Sequence, residues 1–240
     1  MIRFVIVFPG RCGSNMLTRM LALHPEIDIG AYEALAEEPL ARGHRRPIGE
    51  DEDGARFLEQ VVFVAQRPEH RAVGFKLAYQ HARTEPHASV WDFIGQRDVM
   101  AIHLTRLNAL DRLISLELAV SQRKWVAGER QNGLYEPVPV QISFERLRES
   151  VEWLQRMAAS VRSLVPLERR LELTYEDLSQ EPSEMLARTL SFIGVSPRRI
   201  APVTRRQRTF SQREAVANYD QLRASVRRLH PDWDAYFTSA

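Results

Sequence analysis

The sequence predicts an α/β fold with a central, mainly parallel sheet flanked by helices. Short runs of apolar residues, typical of strands buried on both faces, alternate along the chain with segments of helical periodicity. Such alternation indicates βαβ units, whose strands run parallel. The chain has 240 residues, of which 44% are hydrophobic and 27% are charged, and a chain of this size buries about 70–75% of its unfolded surface. We therefore expect residues 1–240 to form a single domain.

The elements follow from these patterns in chain order. The predicted strands are residues 2–8, 72–77, 98–104 and 170–175. The predicted helices are the segment from Met16 to Leu23, residues 56–67 and 89–95, the segment from Leu110 to Leu118, and residues 143–163, 176–193 and 214–228. The predicted loops are the polar segments 121–140, a candidate cover of a site, and 198–213. Ligands of parallel sheets bind at the carboxyl ends of the strands, so we expect the site there.

Cysteine content and hydropathy exclude several classes of protein. Cys12 is the only cysteine, which excludes an internal disulfide framework and a cysteine-based zinc cluster. No run approaches the ~18 apolar residues of a membrane span. The apolar run from Ile2 to Phe8 is followed by Pro9 and is too short for the core of a signal peptide. The sequence therefore predicts a cytoplasmic protein without a transmembrane segment.

The charge distribution favours a small anionic ligand over a nucleic acid. The net charge is only +2, but six arginines and no acidic residue lie between Arg198 and Arg213. A nucleic acid would favour a broader basic face than this local cluster provides. The helical segments 143–163 and 214–228 carry apolar stripes that fit either a core or a homodimer interface, and the sequence leaves both open.

A glycine-containing turn joins the first predicted strand to the first predicted helix. Its sequence is Pro9-Gly10-Arg11-Cys12-Gly13-Ser14-Asn15. Glycines allow backbone N–H groups to turn toward an anion, the helix N-terminus adds about half a positive charge, and Arg11 offers a guanidinium fork. Ser14 and Asn15 can cap the helix or donate to ligand oxygens. The turn lacks the lysine of GxxxxGK[ST] and the third glycine of GxGxxG, so an ordinary turn with Ser14 as N-cap stays open.

A second anion-binding element follows the third predicted strand. Arg106 lies at the carboxyl end of that strand, and Ser115 lies on the helix that follows. A guanidinium at this place can bind a phosphate with the help of a serine hydroxyl. The alternative is an arginine that pairs with a surface carboxylate. Together with the basic loop around Arg205 and Arg206, the two elements indicate a ligand with two separated anionic groups.

These segments resemble sulfotransferases that use 3′-phosphoadenosine 5′-phosphosulfate. The 5′-phosphosulfate loop of that family resembles VFPGRCGSNMLTRMLALHP, and its 3′-phosphate element resembles HLTRLNALDRLISLELA. A further family segment is similar to LTYEDLSQEP, and segments of the bacterial carbohydrate and nodulation-factor-type branch are similar to VGFKL and RRQRTFSQREAVANYDQL. The resemblance runs in order from Ile2 to Leu222. It implies a P-loop-like three-layer fold and an enzyme that transfers a sulfuryl group from the nucleotide to an acceptor hydroxyl without a metal.

The resemblance also assigns the residues that would bind the nucleotide. They are Arg11, Cys12, Gly13, Ser14, Asn15, Arg106, Ser115, Arg205, Arg206 and Gln207. The sequence departs from the family pattern at two places. Asn15 stands where threonine is common, and Leu107 separates Arg106 from Asn108, whereas many members have arginine and asparagine adjacent.

Catalytic roles are expected for Arg11, Lys76 and Glu33, of which Glu33 is implied by the resemblance, since it matches a glutamate shortly after the first helix that acts as the base in the bacterial carbohydrate branch. Arg11 would stabilise charge on the leaving phosphate, Lys76 would contact the transferring group, and Glu33 would accept the proton of the acceptor hydroxyl. The alternatives are a solvated strand-end lysine at Lys76 and the start of an exposed acidic helix at Glu33. Other candidates for the base are His81 and His103.

Two other functions stay open at this point. A P-loop-type small-molecule kinase would need a lysine in the loop and a magnesium-binding acid near a strand end, and the sequence has neither in that arrangement. A non-catalytic nucleotide-binding module could share the fold. The sequence does not name the acceptor: the resemblance favours a carbohydrate or glycolipid, and a natural-product alcohol or phenol is an alternative.

Overall fold

The protein is represented by a computed structural model that divides into two compact units. The structure describes residues 1–31, 33, 35, 46, 48–125, 134–202, 204 and 206–238. The first unit, here called the sheet unit, comprises Met1–Thr105 and Met157–Val203. The second, here called the helical unit, comprises Arg106–Arg156 and Thr204–Ala240.

The sheet unit contains five strands that all pair in parallel. They are β1 (Ile2–Phe8), β2 (Ile27–Ala31), β3 (Ala72–Ala78), β4 (Val99–Thr105) and β5 (Arg170–Thr174), in the order β2-β3-β1-β4-β5. The central strand β1 is largely enclosed, and its residues from Phe4 to Val7 have no exposed surface. This burial on both faces explains why the strand is an unbroken apolar run from Phe4 to Phe8. The predicted parallel sheet is confirmed.

Strand β2 is the one strand of this sheet that the apolar patterns did not predict. Its sequence, IDIGA, is short and interrupted by a charge and a glycine. Pairing with β3 holds it in the sheet, and Asp28 is buried there. The Asp28 carboxylate accepts a hydrogen bond from the backbone of Gln66, and His70 Nδ1 lies 3.7 Å from it.

The helices follow the predicted segments with shifted boundaries. They are α1 (Ser14–Ala22), α2 (Gly54–Phe57), α3 (Ser89–Gln96), α4 (Ala109–Gln122), α5 (Phe144–Leu164), α6 (Tyr175–Gln180), α7 (Pro182–Phe192), α8 (Gln212–Ala215) and α9 (Tyr219–Leu229). A π-helical turn, Leu58–Val62, continues α2. The predicted helix 176–193 is in fact two helices, because Pro182 has no N–H and its ring disfavours the helical conformation at Glu181. The predicted helix 214–228 is also two helices, because the backbone of Val216 is extended and forms a β-bridge with Val140.

Helices cover both faces of the sheet. On one face, Leu17 of α1 and Leu186 of α7 belong to the same apolar cluster as Phe4 of β1. On the other face, Phe75 of β3 meets the ring of Phe63 edge-on at 5.7 Å, and the stacked ring of Phe93 from α3 follows at 6.1 Å. This arrangement confirms the prediction of a parallel sheet flanked by helices.

The helical unit has an apolar core of its own. Leu113 of α4, Leu147 of α5, and Leu222 and Val226 of α9 are buried in one cluster. The basic segment predicted as a loop ends at α8, where Ser211 forms a capping box with Glu214. Within the described part of the chain, no helix is long and apolar enough to span a membrane.

Candidate functional site

The turn after β1 bends the backbone so that the start of α1 is left open. Gly13 is the N-cap of α1 with φ +81°, and no side chain caps the helix. Arg11 also has a positive φ, +70°, which non-glycine residues adopt at a cost. The first N–H groups of a helix have no carbonyl partner within it, so this start can face an anion. The alternative with Ser14 as N-cap is wrong: Ser14 is the first helical residue.

Gly13 is required at its position for two independent reasons. A positive φ favours glycine because it has no Cβ. In addition, a Cβ at Gly13 would lie 2.8 Å from the ring of Tyr175 at the start of α6. The Tyr175 ring therefore packs against the turn, which gives the Tyr-Glu-Asp-Leu segment a structural role.

Lys76 brings together three of the residues that the sequence predicted for the site. Lys76 Nζ lies 2.8 Å from Glu33 Oε1 and donates a 2.7 Å hydrogen bond to Asn15 Oδ1. It also lies 5.1 Å from the centre of the Phe8 ring, within cation–π range. The Lys76 side chain is 1% exposed and that of Glu33 is 16% exposed. Lys76 is therefore not a solvated strand-end lysine.

The strand order explains this meeting of distant residues. Glu33 follows β2, Lys76 lies in β3, and Asn15 lies in the first turn of α1, which follows β1. Because β3 pairs with β2 on one side and with β1 on the other, the Lys76 side chain can reach the segments that follow both of these strands. The missed strand β2 is thus the element that positions Glu33.

The pKa of Lys76 lies below its usual value. Burial lowers the pKa of Lys76, while the charge and hydrogen bond of Glu33 act in the opposite direction. The charges of Cys12 and Arg19 contribute less, the first raising and the second lowering the same pKa. A protonated Lys76 in this site is a fixed cation next to the start of α1, which suits a negatively charged ligand.

The remaining predicted residues of the turn lie between β1 and the first residue of α1. Cys12 is fully buried, and Ser14 is 6% exposed. The carbonyl of Ser14 accepts a 2.7 Å hydrogen bond from the Thr18 hydroxyl. Arg11 is partly exposed at the tip of the turn.

In the helical unit, a carboxylate that the sequence analysis missed organises the predicted arginines. Asp111 accepts a 3.1 Å hydrogen bond from Arg106 and is ion-paired with Arg208, and Arg206 lies 3.7 Å from it. Gln212 Nε2 donates to the same carboxylate at 3.1 Å. Arg106 thus has a carboxylate partner, as the alternative reading required, but Asp111 is largely buried and not on the surface.

Ser115 and Gln207 both contact the same tyrosine through their backbones. The Ser115 carbonyl accepts a 3.2 Å hydrogen bond from the Tyr135 hydroxyl, and the Gln207 carbonyl accepts one of 3.0 Å from the Tyr135 N–H. Arg205 lies outside the described residues. So do residues 126–133, which form the centre of the predicted loop 121–140, the candidate cover of the site.

His103 is part of a buried chain of polar groups that crosses the sheet. Its Nε2 lies 2.5 Å from the Tyr79 hydroxyl, and its Nδ1 lies 2.9 Å from Glu172 Oε2. His103 is in register with Val7, whereas Lys76 is in register with Ile6, so the two side chains leave opposite faces of the sheet. His103 is fully buried between two partners, whereas the Glu33 side chain is 16% exposed.

His81, the other histidine considered as a base, lies in the turn after β3, where its carbonyl accepts a hydrogen bond from the Trp91 indole at 3.1 Å. Among the residues that the structure describes, no group of three or more histidine, cysteine, aspartate or glutamate side chains could hold a metal ion.

Comparison with known proteins identifies the fold. No family model and no curated protein matches the sequence. Among solved structures, the sulfotransferase from Alicyclobacillus acidocaldarius is 18% identical, with a TM-score of 0.58 over 98% of this chain and 94% of that one. The sulfotransferase domain of the Synechococcus PCC 7002 olefin synthase is 15% identical, with a TM-score of 0.52 over 92% and 82%.

A third similar structure is the sulfotransferase domain from the curacin biosynthetic pathway. It is 14% identical, with a TM-score of 0.50 over 92% of this chain and 86% of that one. Sequence identities this low support a conclusion about the fold only, so the function must be argued from the residues of the site. The chain has the sulfotransferase fold, a P-loop-like α/β arrangement of five parallel strands flanked by helices.

Proposed function

We propose that this protein is an enzyme that transfers a sulfuryl group from 3′-phosphoadenosine 5′-phosphosulfate to the hydroxyl of a carbohydrate, glycolipid or other small molecule. The observation that carries the proposal is the contact of Lys76 with Glu33 and Asn15 beside the open start of α1. A buried cation and a carboxylate at this place supply both an anion-binding group and a proton acceptor.

The residues of the turn fit the phosphosulfate end of such a nucleotide. Open N–H groups at the start of α1, the partly exposed Arg11 and the buried ammonium of Lys76 all favour negative charge. Gly13 allows the backbone to adopt the positive φ that this turn requires. When bound, the nucleotide supplies a sulfuryl group activated by its anhydride bond to phosphate.

Each residue of the site has a separate task in the proposed reaction. Glu33 accepts the proton from the acceptor hydroxyl as the new bond from that oxygen to sulfur forms and the bond from sulfur to the phosphate oxygen breaks. Lys76 holds a sulfuryl oxygen, and Arg11 with the N–H groups of α1 stabilises the charge that develops on the leaving phosphate. The proton on Glu33 then passes to water.

The 3′-phosphate is assigned to the predicted residues of the helical unit. Arg106, Ser115, Arg206, Gln207 and Arg205 are its proposed contacts. A guanidinium has five donors, so Arg106 can keep its hydrogen bond to Asp111 and still donate to a phosphate oxygen. Asp111 would then serve to orient the arginine fork.

The test of this proposal is transfer of labelled sulfur. The protein is incubated with ³⁵S-labelled donor and acceptors that begin with oligosaccharides and glycolipids, the preference of the bacterial carbohydrate and nodulation-factor-type branch, and continue with phenols and alcohols. We expect acceptor-dependent release of 3′-phosphoadenosine 5′-phosphate and a labelled acceptor. Tight nucleotide binding without transfer to any acceptor would instead support a binding module, and magnesium-dependent ATP turnover would support a kinase.

A further inference from the structure

We propose that Asn15 is a positioning residue whose amide oxygen holds the Lys76 ammonium in place beside Glu33. Asn15 Oδ1 accepts a 2.7 Å hydrogen bond from Lys76 Nζ, and the 2.8 Å contact of the same nitrogen with Glu33 defines a second direction. The role that Lys76 then has toward a sulfuryl oxygen rests on the function proposed above. The coupling between Asn15 and Lys76 does not depend on it.

Hydrogen-bond chemistry decides which amide atom faces the lysine. An ammonium group has three N–H donors and no acceptor, so its partner on Asn15 must be the oxygen. This fixes the orientation of the amide, whose nitrogen points to the other side of the group. Asn15 thus holds Lys76 through its oxygen.

Burial makes a neutral acceptor important at this position. The Lys76 side chain is 1% exposed, so protein atoms must replace the water that would stabilise its charge. The charged or titratable groups that act on it are Glu33 after β2, Cys12 in the turn and Arg19 on α1. The Asn15 oxygen stabilises the ammonium without cancelling its charge, which leaves the lysine cationic toward an incoming anion.

Geometry points to a division of labour between the two acceptors. Asn15 and Glu33 use two of the three N–H donors of Lys76, leaving one for a ligand oxygen. If Glu33 alone held the lysine, the ammonium could rotate around that single contact. With a second anchor on the first turn of α1, the donor direction is set by a rigid helix.

The sequence offers an unusually clean way to test this coupling. Lys76 and Lys124 are the only two lysines, so lysine labelled with ¹³C and ¹⁵N gives two side-chain signals. Lys124 lies in the helical unit, where it contacts Glu136 at 2.9 Å, and it serves as the internal control. A Lys124→Arg variant assigns the two signals by removing one of them.

The experiment compares the titration of Lys76 in the intact protein and two variants by NMR. Asn15→Leu has a similar volume and no acceptor, so we expect the Lys76 midpoint to fall by about one pH unit, the size of one charged hydrogen bond. Asn15→Asp can place a carboxylate oxygen at the same position, so we expect its midpoint to rise. Lys124 should not move in either variant.

An unchanged Lys76 midpoint in the folded variants would overturn the inference. The Asp variant keeps the test decisive if the Leu variant does not fold. With an active donor and acceptor pair, Asn15→Leu should lower kcat about tenfold or more.

The two proposals fail in distinguishable ways. A shifted Lys76 midpoint without any sulfuryl transfer by the unmodified protein would remove the proposed function and leave the role of Asn15 intact. Sulfuryl transfer combined with an unshifted Lys76 midpoint would support the proposed function and would show that Asn15 does not hold Lys76.

Discussion

Single side chains carry the chemistry proposed for this protein, and the best-defined contact is that between Lys76 and Glu33. The two groups come from separate segments of the chain and meet at 2.8 Å in a largely enclosed place. A buried charge without a partner is costly, so each group stabilises the other in the folded protein. Substitutions here must therefore keep shape and hydrogen bonding while they change the chemistry.

Glu33→Gln removes the proposed proton acceptor and keeps the shape of the side chain. We expect kcat to fall by about 10²–10⁴-fold, the usual contribution of a general base. The Kd for 3′-phosphoadenosine 5′-phosphate should stay nearly unchanged, because the amide oxygen can still accept from Lys76. Turnover and calorimetric binding are measured on the same preparation, with Glu50→Gln as an exposed control. Full turnover in Glu33→Gln would remove Glu33 as the base.

Gly13→Ala tests the backbone of the turn. The Cβ of an alanine at this position would lie 2.8 Å from the Tyr175 ring, and the alanine backbone would have to adopt a φ of +81°. We therefore expect the free energy of unfolding to fall by about 1–3 kcal/mol and nucleotide binding to weaken. Gly10→Ala is the matched control in the same turn, because nothing lies within 4 Å of its Cβ position. Chemical denaturation of both variants measures the difference. Equal stability of the two would contradict the close packing of Tyr175 on the turn.

Whole elements add constraints that no single residue shows, and the polar chain on the opposite face of the sheet is an example. Tyr79 follows β3, His103 lies in β4 and Glu172 lies in β5, so the chain links three strands through their side chains. Arg162 of α5 donates to Glu172 at 3.1 Å and ties a helix to the same group. This network stabilises the β4–β5 side of the sheet, away from Lys76.

The pH dependence of stability should reveal this network. Burial acts to raise the pKa of Glu172, but hydrogen bonds from His103 and Arg162 outweigh it and lower that pKa from 4.5 to about 2. A carboxylate with a depressed pKa stabilises the fold above its unfolded pKa, and the contribution is lost as the pH falls toward the folded value. The stability advantage over Glu172→Gln should therefore be full at pH 7 and shrink below about pH 4.5.

Urea unfolding at a series of pH values measures this advantage. The exposed Glu168→Gln variant is the control for a carboxylate on the adjacent turn. A constant difference between the unmodified protein and Glu172→Gln from pH 7 down to pH 3 would show that the network does not contribute in this way.

The molecule as a whole responds to ligands by mass action, which gives a test independent of any acceptor. A ligand that binds only the folded state raises its stability, and by about 2.7 kcal/mol at a hundredfold excess over Kd. We expect 3′-phosphoadenosine 5′-phosphate to raise the Tm strongly, whereas ATP and NAD at equal concentration should have little effect. Thermal-shift curves of the three nucleotides decide this. A larger shift with ATP would favour the kinase function.

Local patterns were sufficient for β1, β3 and β4, because strands that are buried on both faces are mostly apolar. They were also sufficient for β5, in which Leu171 and Leu173 alternate with polar residues. They were sufficient as well to place a turn between β1 and α1, whereas anion binding by this turn stays a prediction. The same patterns missed β2, since a short strand with an aspartate and a glycine has no apolar signature of its own.

Tertiary structure alone decided which polar side chains meet. Periodicity describes burial along one segment, but the order β2-β3-β1 determines that Glu33, Lys76 and Asn15 share a site. The same is true of Asp111, which became visible only through the arginines around it. Long-range contacts depend on how the strands are arranged in space, and no short motif in the sequence specifies that arrangement.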